Sequence, residues 1–277
     1  MNYTIAKPQN FDLTQIFDCG QCFRFNKLPE KPGTYCGVAH GMYLEISQQG
    51  DCIVFSNTTK EAYDSIWHSF FDMDRDYAKI ISSFSDDPVL SDAASFSSGI
   101  RILRQEPWEA LCSFIISQNN NIPRIKGIIE NMSKAFGKKI ICDDGICRYA
   151  FPTAKALADA GVDKIFELKT GFRAKYIYDA AVKVESGEID LNFIFSADTP
   201  SSLDTLMKIK GVGPKVASCV LLFGFSKYDA FPIDVWVKKI LSNYYAGGIT
   251  HHLSGEHAGI AQQYLFYYER CKNNVFL

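Results

Sequence analysis

Lys215 and Asp234 are the two residues whose types and setting could carry a covalent reaction. Lys215 follows the turn Gly211-Val212-Gly213-Pro214, and Asp234 closes the Pro-led run Phe231-Pro232-Ile233-Asp234. The apolar spacing of Leu203, Leu206 and Met207 predicts one helix ending at Gly211, and that of Val216, Cys219, Val220 and Phe223 predicts a second. Together they make a helix–hairpin–helix over residues 202–223. The start of the second helix leaves backbone N–H groups unpaired, and glycines without a Cβ let the backbone approach a phosphate closely. Helix dipole and free amides then form an anion site. A lysine at that positive end is disfavoured as a cation, and partial desolvation would favour the neutral amine, which is a nucleophile. Each part has a plainer use. Gly-x-Gly closes many ordinary helical hairpins, an exposed lysine can simply touch a phosphate, and Pro-x-Asp ahead of an apolar helix is a good N-cap. A capping aspartate can still stay ionised and serve the amine as electrostatic partner or proton acceptor.

The elements that must position these groups fall into two kinds. Tyr35-Cys36-Gly37-Val38, Met42 to Ile46 and Cys52 to Phe55 are short β-rich runs separated by His40-Gly41 and Gln49-Gly50-Asp51. They predict an antiparallel meander. After Asp92 the periodicity becomes helical and is expected to stay so. Trp108, Leu111, Cys112, Ile115 and Ile116 form one stripe behind Glu106-Pro107. Ile125, Ile128, Ile129, Met132 and Phe136 form another that stops at Gly137. Thr199 with Pro200 is expected to open the first hairpin helix as cap and first-turn proline. Ile260, Tyr264 and Tyr267 or Tyr268 mark a last helix. The expectation is an α+β chain, with a β-rich N-terminal domain over 1–98 and a helical domain over 99–277.

The 277 residues suit two compact domains, and 47% hydrophobic with 22% charged residues is an ordinary globular composition. No apolar run approaches the ~20 residues of a membrane helix, and Met1-Asn2-Tyr3-Thr4-Ile5 lacks the layout of a signal peptide. An intracellular protein is expected, in the cytoplasm or nucleoid of a prokaryote or the nucleus of a eukaryote. The nine cysteines read as core thiols, and Cys19 and Cys22 have no second pair at metal-ligand spacing, so no metal is expected. The net charge of −2 argues against a protein that coats nucleic acid. The charge is unevenly spread, however. Asp51 to Asp92 holds nine acidic and three basic residues, leaving +4 for the rest. Lys164 to Lys183 has five basic against two acidic residues, and Lys208, Lys210 and Lys215 flank the glycine turn. Such local patches can bind phosphates whatever the total.

Gly211, Gly213, Lys215 and Asp234 in this order resemble the helix–hairpin–helix superfamily of DNA glycosylases, in which a lysine at this position goes with strand cleavage. Members that carry an iron–sulfur cluster are set aside, because only Cys271 follows Cys219 and four thiolates cannot assemble there. Further stretches resemble the 8-oxoguanine DNA glycosylase family. They are Cys19-Gly20-Gln21-Cys22-Phe23-Arg24, Arg101 to Pro107, Ser117 to Ile125 with its Asn119-Asn120-Asn121, Gly171 to Tyr176 and Lys215 to Cys219. The resemblance covers nearly the whole chain.

It implies a bifunctional enzyme that flips and excises 8-oxoguanine from duplex DNA opposite cytosine, then nicks the abasic site by β-elimination. Lys215 would attack and Asp234 stabilise the developing charge, with no cofactor and with the protein acting as a monomer. The carbonyl of Gly20 would meet the N7 hydrogen that distinguishes the lesion from guanine. Cys219 and Phe266 would stack on the flipped base, and Gln262 would bind its Watson–Crick edge. Asn119 would fill the vacated space, Arg124 and Arg173 would hold the estranged cytosine, and Phe172 would wedge beside it. Gly211 and Gly213 would hold the strand. Departures are Ile209-Lys210 for the family's Leu-Pro, Phe172 for a commoner tyrosine and Trp236 for a histidine, and indole is a single donor ill suited to phosphate. Two alternatives remain open: a glycosylase of the same superfamily for another base, and a non-catalytic protein that uses the hairpin only to bind DNA.

Overall fold

The structure, a computed structural model, describes residues 2–142 and 145–272. Its N-terminal part is one antiparallel sheet of β1 (Asn2–Ala6), β2 (Asn26–Lys27), β3 (Thr34–Ala39), β4 (Met42–Gln49) and β5 (Cys52–Ser56), in the order β1-β5-β4-β3-β2. The three central strands are those the sequence predicts, in the register Tyr35↔Ile46 and Gln48↔Ile53. His40 and Gly41 both take positive φ, at 50° and 69°, the geometry that suits the twist of a two-residue hairpin. The edge strands β1 and β2 were not expected. Leu44, Ile46, Ile53 and Phe55 are fully buried on one face, where they meet Trp67, Phe70 and Phe71.

Those aromatic residues move the expected onset of the helical run. A short helix, Leu13–Asp18, precedes β2, and the helical run starts at Lys60 rather than after Asp92, through Lys60–Ala62, a π turn at Tyr63–Trp67 and His68–Phe70. The acidic composition of this segment hides the spacing of Tyr63, Trp67 and Phe70, which closes the sheet's core. A two-stranded ribbon, Lys139–Ile141 with Cys147–Tyr149, also interrupts the helical part.

The helical core is built around Pro107–Ser117 and Pro214–Phe225. They touch at Gly224, where a Cβ would fall 2.9 Å from that of Ala110. Phe114 and Phe223 stack across the interface with centroids 5.2 Å apart. The helix Ile122–Phe136 ends at Gly137 as predicted. Helix Pro88–Phe96 packs on the C-terminal helix Ala258–Lys272, Phe96 meeting Tyr268 edge-on at 5.4 Å. The first hairpin helix, Thr199–Met207, is capped by Asp198, which accepts from the Ser201 amide at 2.8 Å, so Thr199 is not the cap. Buried Asp72 joins the two cores. It accepts from Arg75 at 2.7 Å, Arg104 at 2.5 Å and the Tyr77 hydroxyl at 2.9 Å, so its charge is paired on every side. Among the described residues no helix is long and apolar enough to cross a membrane.

Candidate active site

The glycine turn is braced from behind. Asp179 accepts from the Lys210 amide at 2.7 Å, and Lys183 donates to the Lys208 carbonyl at 2.6 Å. Gly211 has φ +79°, and a Cβ there would come within 2.5 Å of the Tyr176 ring, so both its conformation and its surroundings require glycine. Gly213 is the N-cap of Pro214–Phe225 and no side chain caps that helix, which leaves its first amides open to an anion. A Cβ on Gly213 would meet only open space. Internal packing therefore does not require glycine at this position.

Lys215 and Cys219 lie one turn apart on this helix. The Lys215 amine stands 6.0 Å from the centre of the Phe114 ring, over the column formed by Phe223, Phe114 and Phe23. Cys219 is buried, and that burial pushes its thiol up to about 11; Lys215 beside it pulls the other way and Asp234 adds to the rise. Asp234 is an N-cap as the sequence suggests, one carboxylate oxygen accepting from the amides of Trp236 at 2.9 Å and Val237 at 2.8 Å. Two amides fix its rotamer and hold a negative group at the mouth of the helix Val235–Tyr244.

One pocket collects Gly20, Lys215, Cys219, Asp234, Gln262 and Phe266, residues that come from three parts of the chain. Gln262 is 5% exposed and its Oε1 has no hydrogen-bond partner among the described residues. A buried acceptor without a partner costs about 1–3 kcal/mol, a cost that a ligand with an N–H donor would remove. Gly20, at φ +81°, lines the same pocket.

A wider groove runs past the pocket mouth and is lined by Asn119, Phe172, Gly213, Lys215, Asp234 and Trp236. Asn119 is exposed at φ +47°, a left-handed conformation that asparagine tolerates. Asn121 caps the following helix through the Arg124 amide at 3.0 Å, so the three asparagines divide their work. Phe172 is 49% exposed at the groove edge. Arg124 is exposed nearby, its guanidinium 3.5 Å from the Lys169 carbonyl.

Arg173 is placed differently from its neighbours. It is buried and donates to the carbonyls of Gln118, of Asn119 at 2.8 Å and of Thr170 at 3.3 Å. Sequence reasoning passed over Phe114, Gln263 and Arg270. Arg270 lines the groove beside Trp236 and brings a cation to the place where indole replaces the expected histidine. Burial lowers Arg270 from its ordinary value, while Asp234 opposes that shift. A basic residue in the last turn of the C-terminal helix was the available signal, and by itself it points only to the helix dipole. Cys19 and Cys22 are buried thiols, raised by desolvation to about 12 and about 11.

Two sequence families account for most of the chain. The 8-oxoguanine DNA glycosylase N-terminal domain matches residues 4–111, and the HhH-GPD superfamily of base excision DNA repair proteins matches residues 112–252. The chain belongs to the 8-oxoguanine DNA glycosylase family. Its relatives include an N-glycosylase/DNA lyase of Arabidopsis thaliana, 31% identical over 92% of this chain and 76% of that protein. An N-glycosylase/DNA lyase of Saccharomyces cerevisiae is 39% identical over 53% of this chain, which spans 42% of that protein. Among solved structures, the Clostridium acetobutylicum 8-oxoguanine glycosylase/lyase superposes with a TM-score of 0.90 at 41% identity, covering 99% of this chain and 98% of that one. That structure holds double-stranded DNA with cytosine opposite 8-oxoguanine.

Proposed function

We propose that this protein excises 8-oxoguanine from duplex DNA and cleaves the resulting abasic strand through Lys215. The observation that carries the reading is the convergence of Lys215, Asp234, Gly20 and the unpartnered Gln262 acceptor on one pocket. A guanine-type base offers N–H donors on its Watson–Crick edge, which match that acceptor. Cys219 and Phe266 present the apolar faces on which a flipped ring can stack.

Lys215 Nζ, carrying a lone pair, attacks C1′ as the bond to the base N9 breaks, and the base leaves with that electron pair and takes up a proton. Asp234 lines the same pocket and stabilises the positive character on the sugar. Ring opening gives an imine between Lys215 and C1′. Loss of a C2′ proton then expels the 3′ phosphate, and hydrolysis of the imine frees the lysine. Gly213 and the open amides of its helix hold a phosphate of the lesion strand, with Gly211 making the turn and Arg270 lining the groove alongside. Phe172 and Asn119 enter the duplex beside the extruded base. Arg124 reaches the opposite cytosine, and Arg173 holds the Asn119 loop that faces it.

Base release from duplexes carrying 8-oxoguanine, 3-methyladenine or an oxidised pyrimidine, each opposite all four bases, tests the proposal. Release of 8-oxoguanine opposite cytosine ahead of the other lesions is expected, and release of only another base would overturn it.

A further inference from the structure

In the run Cys19-Gly20-Gln21 the two outer carbonyls are held and the middle one is not. The Cys19 carbonyl accepts from Gln263 Nε2 at 2.7 Å. The Gln21 carbonyl accepts from Gln105 Nε2 at 2.7 Å. Gln21 is itself fixed through its side chain, which donates to Ile16 at 2.9 Å and Arg101 at 2.8 Å and accepts from the Leu103 amide at 2.9 Å. Among the described residues no donor reaches the Gly20 carbonyl. Gln263 is 3% exposed and Gln21 is fully buried, so water does not compete for the Gln263 bond or for those of the Gln21 side chain.

A glycine at positive φ can swing its peptide through a wide range at little cost. That freedom matters here. Guanine presents an acceptor at N7, and 8-oxoguanine a hydrogen. A carbonyl aimed at this atom favours the lesion, whereas the same peptide turned over would present its N–H and favour guanine. Selectivity therefore depends on the direction of the peptide, and the flanking peptides must be fixed for it to persist.

We propose that Gln263 is a positioning residue for lesion selectivity, locking the peptide ahead of Gly20 while Gln105 locks the one that follows Gln21. This rests on the reading that Gly20 meets N7. Gln263 follows Gln262 on the same helix. One step of backbone thus couples the amide that meets the Watson–Crick edge to the amide that sets the opposite edge's reader.

The test uses the full chain with Gln263→Met, which keeps side-chain length and removes the donor. Two ratios are measured on duplexes opposite cytosine: guanine to 8-oxoguanine dissociation constants, and 8-oxoguanine excision to cleavage of a preformed abasic site. Losing one buried hydrogen bond that sets the direction should lower both ratios about tenfold. A merely structural role would slow excision and abasic cleavage together, and unchanged ratios in a folded variant overturn the proposal. Should Gln263→Met fail to fold, Gln105→Met must show the same loss, and its absence overturns the proposal equally. A wild-type protein without preference for 8-oxoguanine would sink the reading of Gly20 instead, and this inference with it.

Discussion

The guanidinium of Arg173 donates to the backbone carbonyl of Asn119 at 2.8 Å, and so ties a buried cation to a loop that lines the groove. With its further bonds to Gln118 and Thr170, Arg173 acts as a fork that shapes the loop rather than as a free arm. Arg173→Ala should cost about 2 kcal/mol of stability, because the bonds of one buried guanidinium to three carbonyls are lost together, and should weaken binding to lesion duplexes. Arg173→Lys should recover little, since one ammonium cannot reproduce the fork. Arg124→Ala, at an exposed site, should stay within about 0.5 kcal/mol of wild type and alter chiefly the choice of opposite base. Thermal melts and excision opposite each base check the pair. Equal stability losses in both variants would contradict this division.

Gln262 offers a second separation of folding from function. Its buried Oε1 has no partner among the described residues. Gln262→Leu removes that orphaned acceptor while keeping bulk, so stability should be unchanged or rise by about 1 kcal/mol. Affinity for an 8-oxoguanine duplex should nevertheless fall about tenfold. Chemical denaturation and equilibrium titration report the two quantities. A variant both destabilised and fully able to bind would show that the acceptor serves the fold.

Cys219 should behave as an uncharged wall. With its thiol pushed up to about 11, the reactive thiolate is scarce at pH 8. Alkylation there should run about two orders of magnitude slower than at an ordinary cysteine. Its rate should rise about tenfold per pH unit up to about pH 11. Peptide mapping after iodoacetamide treatment, with exposed Cys52 as internal reference, gives the profile. Rapid modification of Cys219 near pH 7 would indicate a thiolate paired with Lys215.

Much of this architecture was legible in the sequence because it repeats. The stripe from Val216 to Phe223, the caps and turns around Gly211 and Asp234, and the alternation through β3, β4 and β5 are local patterns. They also placed Lys215 and Asp234 correctly at the starts of their helices. Features made by tertiary packing were not legible. Arg173 is a residue type usually exposed, and only the assembled fold brings three carbonyls around it. Phe114, Gln263 and Arg270 lie on helices whose periodicity is explained without them, and the Phe23, Phe223 and Cys19 that Phe114 and Gln263 meet stand far away in the chain. The two-residue strand β2 has no periodicity to read, and Asp198 took the cap from Thr199 one residue earlier than the proline suggested.

The central claim is that Lys215 forms the covalent bond to DNA. Incubation with an 8-oxoguanine:cytosine duplex and borohydride, followed by proteolysis and mass spectrometry of the trapped adduct, tests it directly. The account predicts one adduct, on the peptide containing Lys215, and its loss in Lys215→Gln with duplex binding retained. Trapping on another residue, or undiminished trapping in Lys215→Gln, would contradict it.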